Sequence, residues 1–249
     1  MPALASLPMY DWDELRGPTD RLWALIRDGL RAGGIDAPTD LHRGSQWNDW
    51  LNPGLILSQT CGFPYRTALH GKVKLVGTPD FGLPEAPPGY YYSQLVVRAD
   101  APGDWAAFLD GTLAINGYDS QSGWAAPQNH AAGVNRRFER IKVTGAHVAS
   151  AAAVADGLAD IAAIDAVTWR LITAYRPAIA QRLRAVTRTE PTPGLPLITA
   201  PGNDSQAIAA AVDAAMAALS AADRAELGLR GLTRIPAEAY LAVPTPASD

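Results

Sequence analysis

Residues 112–123 read TLAINGYDSQSG, a short apolar run followed by a loop that ends in two serines and a glycine. The apolar run Thr112–Ile115 predicts a buried strand, and the serines begin the next helical stretch. A strand, a polar turn and a helix start bring free backbone N–H groups and the hydroxyls of Ser120 and Ser122 to the positive end of a helix. This combination predicts a receptor for phosphate, phosphonate, sulfate or carboxylate. The alternative is that Ser120 or Ser122 only caps its helix.

Short apolar runs alternate with amphipathic stretches along the rest of the sequence. Apolar residues recur at helical spacing in Pro18–Leu30, which Thr19 is placed to cap, and again in Ser150–Ala159 and Ser205–Leu219. Strands that alternate with helices are typical of βαβ units on mostly parallel sheets, so the predicted fold class is α/β. The predicted strands are Ala3–Leu7, Leu55–Leu57, Val73–Val76, Gln94–Val97, Thr112–Ile115, Ile141–Val143, Ile161–Ile164 and Leu195–Ile198.

Two segments rich in proline and glycine predict where the chain crosses between two lobes. Pro84–Gly89 leads into the strand Tyr91–Arg98, and Thr187–Pro196 follows later in the chain. Because proline fixes φ and supplies no amide donor, such segments are extended and poor in regular pairing. The predicted lobes are residues 1–95 plus 188–249, and residues 96–187.

Polar and aromatic residues follow most of the predicted strands directly. Tyr10 follows the first strand, Gln59 and Thr60 follow the second, and His147 and Asp165 follow two later ones. Because open parallel sheets bind ligands beyond the carboxyl ends of their strands, these groups converge on one cleft if the lobes face each other. His147 suits a donor to an anionic oxygen, although a lone histidine is more often structural. Asp165 either accepts bonds from a ligand hydroxyl or amine, or caps the helix that it opens.

Catalytic, metal and cofactor sites are not indicated by the sequence. Ser122, His147 and Asp165 invite comparison with a catalytic triad, but Gln121 precedes the serine where a nucleophile elbow requires the pattern G-x-S-x-G. The phosphate-loop pattern is also absent. No histidines show metal-ligand spacing, and Cys61 is the only cysteine, so no metal, cofactor or intramolecular disulfide is expected.

Composition limits the partners and the compartment. The formal net charge of −4 argues against a nucleic-acid partner, and no run approaches about 18 apolar residues, so membrane insertion is not expected. The first residues lack the basic and apolar regions of a signal peptide. We therefore expect a monomer that is cytoplasmic as the sequence is written, or periplasmic if a leader was removed.

Six segments together carry a family resemblance that runs from about Ser6 to about Thr199. They are residues 57–65 (LSQTCGFPY), 76–80 (VGTPD), 92–98 (YSQLVVR), 116–123 (NGYDSQSG), 144–150 (TGAHVAS) and 159–165 (ADIAAID). With these segments the chain resembles the phosphate, phosphite and phosphonate substrate-binding proteins of ABC transporters. The resemblance implies the two-lobed type II periplasmic-binding-protein fold, with two extended crossing strands between the lobes.

The resemblance also implies roles for particular residues. A Ser-x-Ser turn would hold the anionic head of the ligand, and here it corresponds to Ser120, Gln121 and Ser122, with an amide in the middle position where better-known members have a hydroxyl. His147 would face the ligand, and Asp165 would bind its amine or hydroxyl. A tyrosine of the first crossing strand would line the ligand, which indicates Tyr92 or Tyr91.

The implied function is a solute-binding protein that closes on a small anionic ligand, for uptake through an ABC permease or for sensing. Two alternatives are the cytosolic ligand-sensing core of a regulator and an enzyme on the same fold.

Overall fold

The structure is a computed structural model and describes residues 2–44 and 46–247. Its strands, in chain order, are β1 (Leu4–Ser6), β2 (Leu55–Gln59), β3 (Lys74–Asp80), β4 (Tyr90–Tyr91), β5 (Ser93–Arg98), β6 (Thr112–Ile115), β7 (Arg140–Val143), β8 (Ile161–Asp165), β9 (Leu183–Arg188), β10 (Thr192–Pro193), β11 (Leu197–Thr199) and β12 (Gly231–Thr233).

The helices lie between these strands. They are α1 (Arg16–Ala32), α2 (Gln46–Trp50), α3 (Gly62–Pro64), α4 (Ala126–Ala132), α5 (His147–Ala155), α6 (Ala166–Tyr175), α7 (Pro177–Ala180), α8 (Ser205–Ala218), α9 (Ala221–Leu227) and α10 (Ala237–Leu241). Single 3-10 turns form at Asp13–Leu15 and Trp105–Phe108, and π-helical turns form at Tyr65–Leu69 and Gln121–Ala125.

The contacts within the chain separate it into two compact units. Unit 1 consists of the described residues of Met1–Tyr90 together with Pro193–Leu241. Unit 2 is Tyr91–Thr192 with the described part of the tail that follows Leu241. That the two lobes divide at residues 95/96 and 187/188 stays a prediction.

Unit 1 contains a five-stranded sheet in the order β1-β2-β11-β3-β12. β1 and β2 pair in parallel, whereas β11 lies antiparallel between β2 and β3, and β12 pairs antiparallel with β3. The core beside this sheet includes the buried residues Leu55, Tyr65, Ile198 and Tyr240.

Unit 2 contains a second five-stranded sheet, in the order β7-β6-β8-β5-β9. β7, β6 and β8 are mutually parallel, and β5 lies antiparallel between β8 and β9. Its core includes Leu95, Leu113, Phe138 and Ile161. Because β6, β7 and β8 run in one direction, the residues that follow them lie along one edge of the sheet.

The predicted α/β class is confirmed, and most strands of each sheet run in one direction, as predicted. Both sheets are mixed, because a strand that follows a crossing is inserted among parallel neighbours. Ser93 at the start of β5 pairs with Asp165 at the end of β8, and Leu197 at the start of β11 pairs with Gln59 at the end of β2. Each inserted strand therefore enters its sheet at the carboxyl edge of its neighbours and must run against them.

The predicted start of the first helix is wrong. α1 begins at Arg16 because the 3-10 turn Asp13–Leu15 leads directly into it, and Thr19 is a buried residue inside the helix rather than its cap. The third strand is longer than predicted. It continues through Asp80 because its second half pairs with β12.

Among the described residues, no single helix is both long and apolar enough to cross a membrane. The pair α8 and α9, bent by 111°, meets that criterion only when both helices are taken together, on length and composition alone.

Candidate functional site

The turn after β6 is the centre of the candidate site in unit 2. The chain leaves β6 at Ile115, loops to Ser120, and winds through the π-helical turn Gln121–Ala125 into α4. Ser120, Gln121 and Ser122 are all buried. The Ser120 Oγ accepts a hydrogen bond of 2.9 Å from the Gly123 N–H, so Ser120 caps this turn. The capping interpretation therefore applies to Ser120 and not to Ser122.

The Ser122 hydroxyl contacts the imidazole of His147. Ser122 Oγ lies 2.8 Å from His147 Nε2 and 3.4 Å from Ser120 Oγ. The two serine hydroxyls and the imidazole thus form one contiguous polar group, as the sequence pattern predicted for the ends of β6 and β7.

His147 is held in place by the loop that precedes it. It is the first residue of α5, and the Thr144 hydroxyl donates to the Ile115 carbonyl at the end of β6 (2.9 Å) and contacts Ser150 Oγ (2.7 Å). Burial lowers the pKa of His147, an effect that the Asp165 carboxylate and the main chain of Ala163 partly oppose. The imidazole is therefore neutral around pH 7.

Asp165 ends β8 and caps α6. Its Oδ1 accepts hydrogen bonds of 3.0 Å from both the Val167 and the Thr168 N–H groups, and its Oδ2 lies 3.7 Å from His147 Nε2. Asp165 as a whole is 3% exposed. Asp165 therefore has a structural role as a cap, and its second oxygen faces the imidazole.

Gly123 has no side chain and so leaves space beside the serine hydroxyls and the His147 imidazole. A Cβ at this position would lie 2.0 Å from Asn116 Oδ1 and 3.3 Å from His147 Cε1. Any larger residue would displace the Asn116 amide and press against the His147 ring. The Asn116 side chain thus packs against the turn. The sequence did not predict this role for Asn116.

Tyr92 lies beside the end of β8. Its carbonyl accepts from the Ala166 N–H (2.9 Å), and the Arg188 guanidinium lies over its ring with Cζ 5.1 Å from the ring centroid. Tyr91 and Tyr92 are both buried. Arg188 was missed because it lies at the end of β9, a strand that apolar runs alone did not predict.

The remaining predicted residues belong to unit 1. Tyr10 packs edge-to-face against Phe81, with ring centroids 5.2 Å apart. Gln59 ends β2, and its side-chain amide donates weakly to the Leu195 carbonyl (3.4 Å). Thr60 is fully buried and its N–H donates to the Pro196 carbonyl (3.0 Å). These contacts give Gln59 and Thr60 structural partners within unit 1, and their role toward a ligand stays a prediction.

Ser93 is a further residue that sequence reasoning missed. It begins β5, and its hydroxyl donates to the Ser122 carbonyl (2.9 Å). The available signal was a small polar residue in an otherwise buried strand, because such a residue needs a hydrogen-bond partner.

Among the described residues, no three histidine, cysteine, aspartate or glutamate side chains are grouped so that they could hold a metal ion.

Residues 60–240 match the family model described as "ABC transporter, phosphonate, periplasmic substrate-binding protein". No curated protein matches the chain in sequence.

Solved structures of this fold align with nearly the whole chain. PhnD1 from Prochlorococcus marinus in complex with methylphosphonate aligns with a TM-score of 0.71 at 12% identity, over 96% of this chain and 94% of that one. XAC2383 from Xanthomonas citri bound to chloride gives 0.69 at 17% identity, over 94% and 91%. A binding-protein component of an ABC phosphonate transporter from Pseudomonas aeruginosa gives 0.63 at 15% identity, over 93% and 81%. At these identities the structural matches establish the type II periplasmic-binding-protein fold.

Proposed function

Because the chain belongs to the family of periplasmic substrate-binding proteins of phosphonate ABC transporters, we propose that its ligand is a phosphonate or a related oxyanion such as phosphate. Proteins of this family bind small anionic ligands. The observation that carries the proposal is the cluster of two serine hydroxyls and a neutral imidazole at the carboxyl edge of the unit 2 sheet. The anionic head of the ligand binds to Ser120, Gln121 and Ser122.

The hydrogen-bond pattern leaves the serine hydroxyls able to donate. Ser120 Oγ already accepts from the Gly123 N–H, so its own hydrogen is directed elsewhere. In the tautomer that carries hydrogen on Nε2, His147 donates to Ser122 Oγ, and the Ser122 hydrogen turns to the ligand. Hydrogen bonds from such donors to an ionised oxygen are about twice as strong as bonds between neutral groups.

Other residues contact the remainder of the ligand in this proposal. The Asp165 carboxylate accepts from an amine or hydroxyl group, and the Tyr92 ring lines the organic part. Tyr10, Gln59 and Thr60 of unit 1 engage the ligand as the protein closes. The bodies that close are residues 1–95 plus 188–249 and residues 96–187. Solution scattering tests closure, since the radius of gyration should fall when a ligand binds tightly and should stay constant if no closure occurs.

The geometry supports binding without turnover. In a serine–histidine–aspartate triad, the serine and the aspartate contact different nitrogens of the imidazole. Here Ser122 Oγ and Asp165 Oδ2 both face His147 Nε2, at 2.8 Å and 3.7 Å. The aspartate therefore does not orient the imidazole as a general base for the serine.

We place the protein in the periplasm as a monomer that delivers its ligand to an ABC permease. The description of the family supports the periplasm and the transporter partner, and the monomer is our own expectation. Fractionation of the source cell tests the compartment, and recovery of the mature protein only from the cytosol would contradict it. Size-exclusion chromatography with light scattering tests the monomer.

A thermal-shift screen of methylphosphonate, 2-aminoethylphosphonate, phosphate, phosphite, sulfate and acetate tests the ligand class. A ligand at 100 times its dissociation constant adds about 2.7 kcal/mol to the free energy of unfolding. For a chain of this length that corresponds to a rise of roughly 5–10 °C in the melting temperature. Failure of every phosphorus oxyanion to raise the melting temperature would contradict the proposal.

A further inference from the structure

A buried chain of hydrogen bonds connects the Ser120–Ser122 turn to Ser93 and Thr189. These two residues lie near the two ends of the segment Tyr91–Thr192 of unit 2. The Ser93 hydroxyl donates to the Ser122 carbonyl (2.9 Å). The Ser93 N–H donates to Thr189 Oγ1 (3.0 Å), and the Thr189 N–H donates to the Ser93 carbonyl (2.9 Å). Ser93, Ser122 and Thr189 are 1%, 5% and 3% exposed, so water does not compete for these bonds.

The first of these bonds acts on one peptide group of the turn. The carbonyl of the Ser122–Gly123 peptide accepts from Ser93, and its N–H donates to Ser120 Oγ. The peptide plane is therefore held at both ends. Its orientation determines where the Ser120 hydroxyl receives a hydrogen and hence where that hydroxyl can donate.

Ser93 and Thr189 also have a particular place in the chain. Ser93 begins β5 immediately after the chain enters unit 2, and Thr189 follows β9 shortly before the chain leaves it. A buried serine needs some partner, and a neighbour within the sheet would satisfy it equally well. Its hydroxyl instead reaches the turn, 29 residues away in sequence.

We propose that Ser93 is a positioning residue that fixes the Ser122–Gly123 peptide for anion binding and couples occupancy of the turn to the crossing segments. The proposal rests on the function proposed above for the same turn. It assigns Ser93 no contact with the ligand.

The binding test is Ser93→Ala, titrated calorimetrically with methylphosphonate. Loss of one hydrogen bond that orients the donors should weaken binding about five- to tenfold. The control is Thr199→Val in unit 1, which removes another buried hydroxyl-to-carbonyl bond, from Thr199 Oγ1 to the Leu55 carbonyl (3.2 Å), and the bond that Thr199 Oγ1 accepts from the Asn203 amide (2.8 Å). The control should lower the melting temperature and leave the affinity unchanged. Equal affinity of Ser93→Ala and the wild type would overturn the proposal.

Amide hydrogen exchange tests the same residue without a ligand. In the ligand-free protein, exchange at Gly123 should accelerate about fivefold in Ser93→Ala and stay unchanged in Thr199→Val. If the wild type binds no oxyanion, the proposed function fails, and exchange at Gly123 alone decides whether Ser93 fixes the turn. Unchanged exchange at Gly123 would refute that role in either case.

The coupling has its own readout at Thr189. Methylphosphonate should slow amide exchange at Thr189 in the wild type and should slow it less in Ser93→Ala. If Ser93→Ala does not fold, Ser93→Cys carries the test, because a thiol of similar shape is a weaker donor. Equal protection of Thr189 in variant and wild type would contradict the coupling.

Discussion

At the scale of single residues, the site has no room for a side chain at Gly123. A Cβ there would meet Asn116 Oδ1 at 2.0 Å and the His147 ring at 3.3 Å. We expect Gly123→Ala to lower the free energy of unfolding by about 1–3 kcal/mol, because the packed neighbours must move. Since His147 is one of those neighbours, the affinity for an oxyanion should fall as well.

The control for this variant is Gly202→Ala. A Cβ at Gly202 would have no atom within 4 Å, so the change in stability should stay within about 0.5 kcal/mol. Urea unfolding and calorimetric titration measure both quantities. Similar stability of the two alanine variants would show that the turn has more room than the structure indicates.

His147 predicts a pH dependence of stability. Burial lowers its pKa below the value near 6.5 that it has in the unfolded chain. Between the lowered pKa and about 6.5 the unfolded state binds more protons, so stability falls as the pH falls, by at most about 1.4 kcal/mol per pH unit. The contribution of His147 to the free energy of unfolding is fully present above pH 6.5.

The variant His147→Gln should show a flatter decline in the free energy of unfolding between pH 7.5 and 5. Burial also lowers the pKa of His130, which stays in both proteins and contributes the same slope to each. Urea unfolding across this range provides the measurement. Parallel curves for variant and wild type would mean that His147 titrates normally in the folded protein.

Sequence reasoning reached some of these residues and not others. Ser120, Ser122 and His147 were predictable because each lies in the loop or turn after an apolar run, and parallel strands bring such positions to one edge. Ser93 and Asn116 were not, because their contacts with the turn depend on which strand is inserted beside β8 and on the path of a loop. Neither leaves a periodic trace in the sequence.

At the scale of elements, Asp165 combines a helix cap with a position beside the imidazole. Asp165→Asn keeps an oxygen that can accept from Val167 and Thr168, so we expect its melting temperature to stay within about 3 °C of the wild type. Removing the charge beside His147 should change the affinity for a ligand with an amine, such as 2-aminoethylphosphonate, more than for methylphosphonate.

The matched cap is Asp204, which accepts from the Gln206 and Ala207 N–H groups at the start of α8 in unit 1. Asp204→Ala should cost about 1 kcal/mol of stability and leave both affinities unchanged. Thermal melts and paired titrations make the comparison. Equal affinity changes for the two ligands in Asp165→Asn would restrict Asp165 to its capping role.

Two of the strands that the sequence did not predict share a physical feature. β9 and β12 lie at the edges of their sheets, with no strand of the described residues on one side. β9 reads LRAVTR, and its arginines interrupt the apolar run that identifies a buried strand. The central strands were recognisable because burial on both faces requires continuous apolar residues.

At the scale of the whole molecule, the central claim is that one turn in unit 2 binds a phosphorus oxyanion reversibly. Family membership gives the class of protein, and the cluster of Ser120, Ser122 and His147 is the proposed place of binding. The sequence could not predict that Ser120 would be the cap and Ser122 the partner of His147, because both serines have the same chemistry and differ only in where the turn directs them.

Calorimetric titration of methylphosphonate into wild type and Ser122→Ala tests this claim most directly. We predict one site per chain in the wild type, and an affinity about ten- to a hundredfold lower in the variant, since one charge-assisted hydrogen bond contributes about 1.5–3 kcal/mol. Ser122→Ala should also lower the free energy of unfolding without ligand by about 1–3 kcal/mol, because it removes the buried partner of His147 Nε2. Equal affinity of the two proteins, or binding by neither protein of methylphosphonate, phosphate or phosphite, would contradict the account.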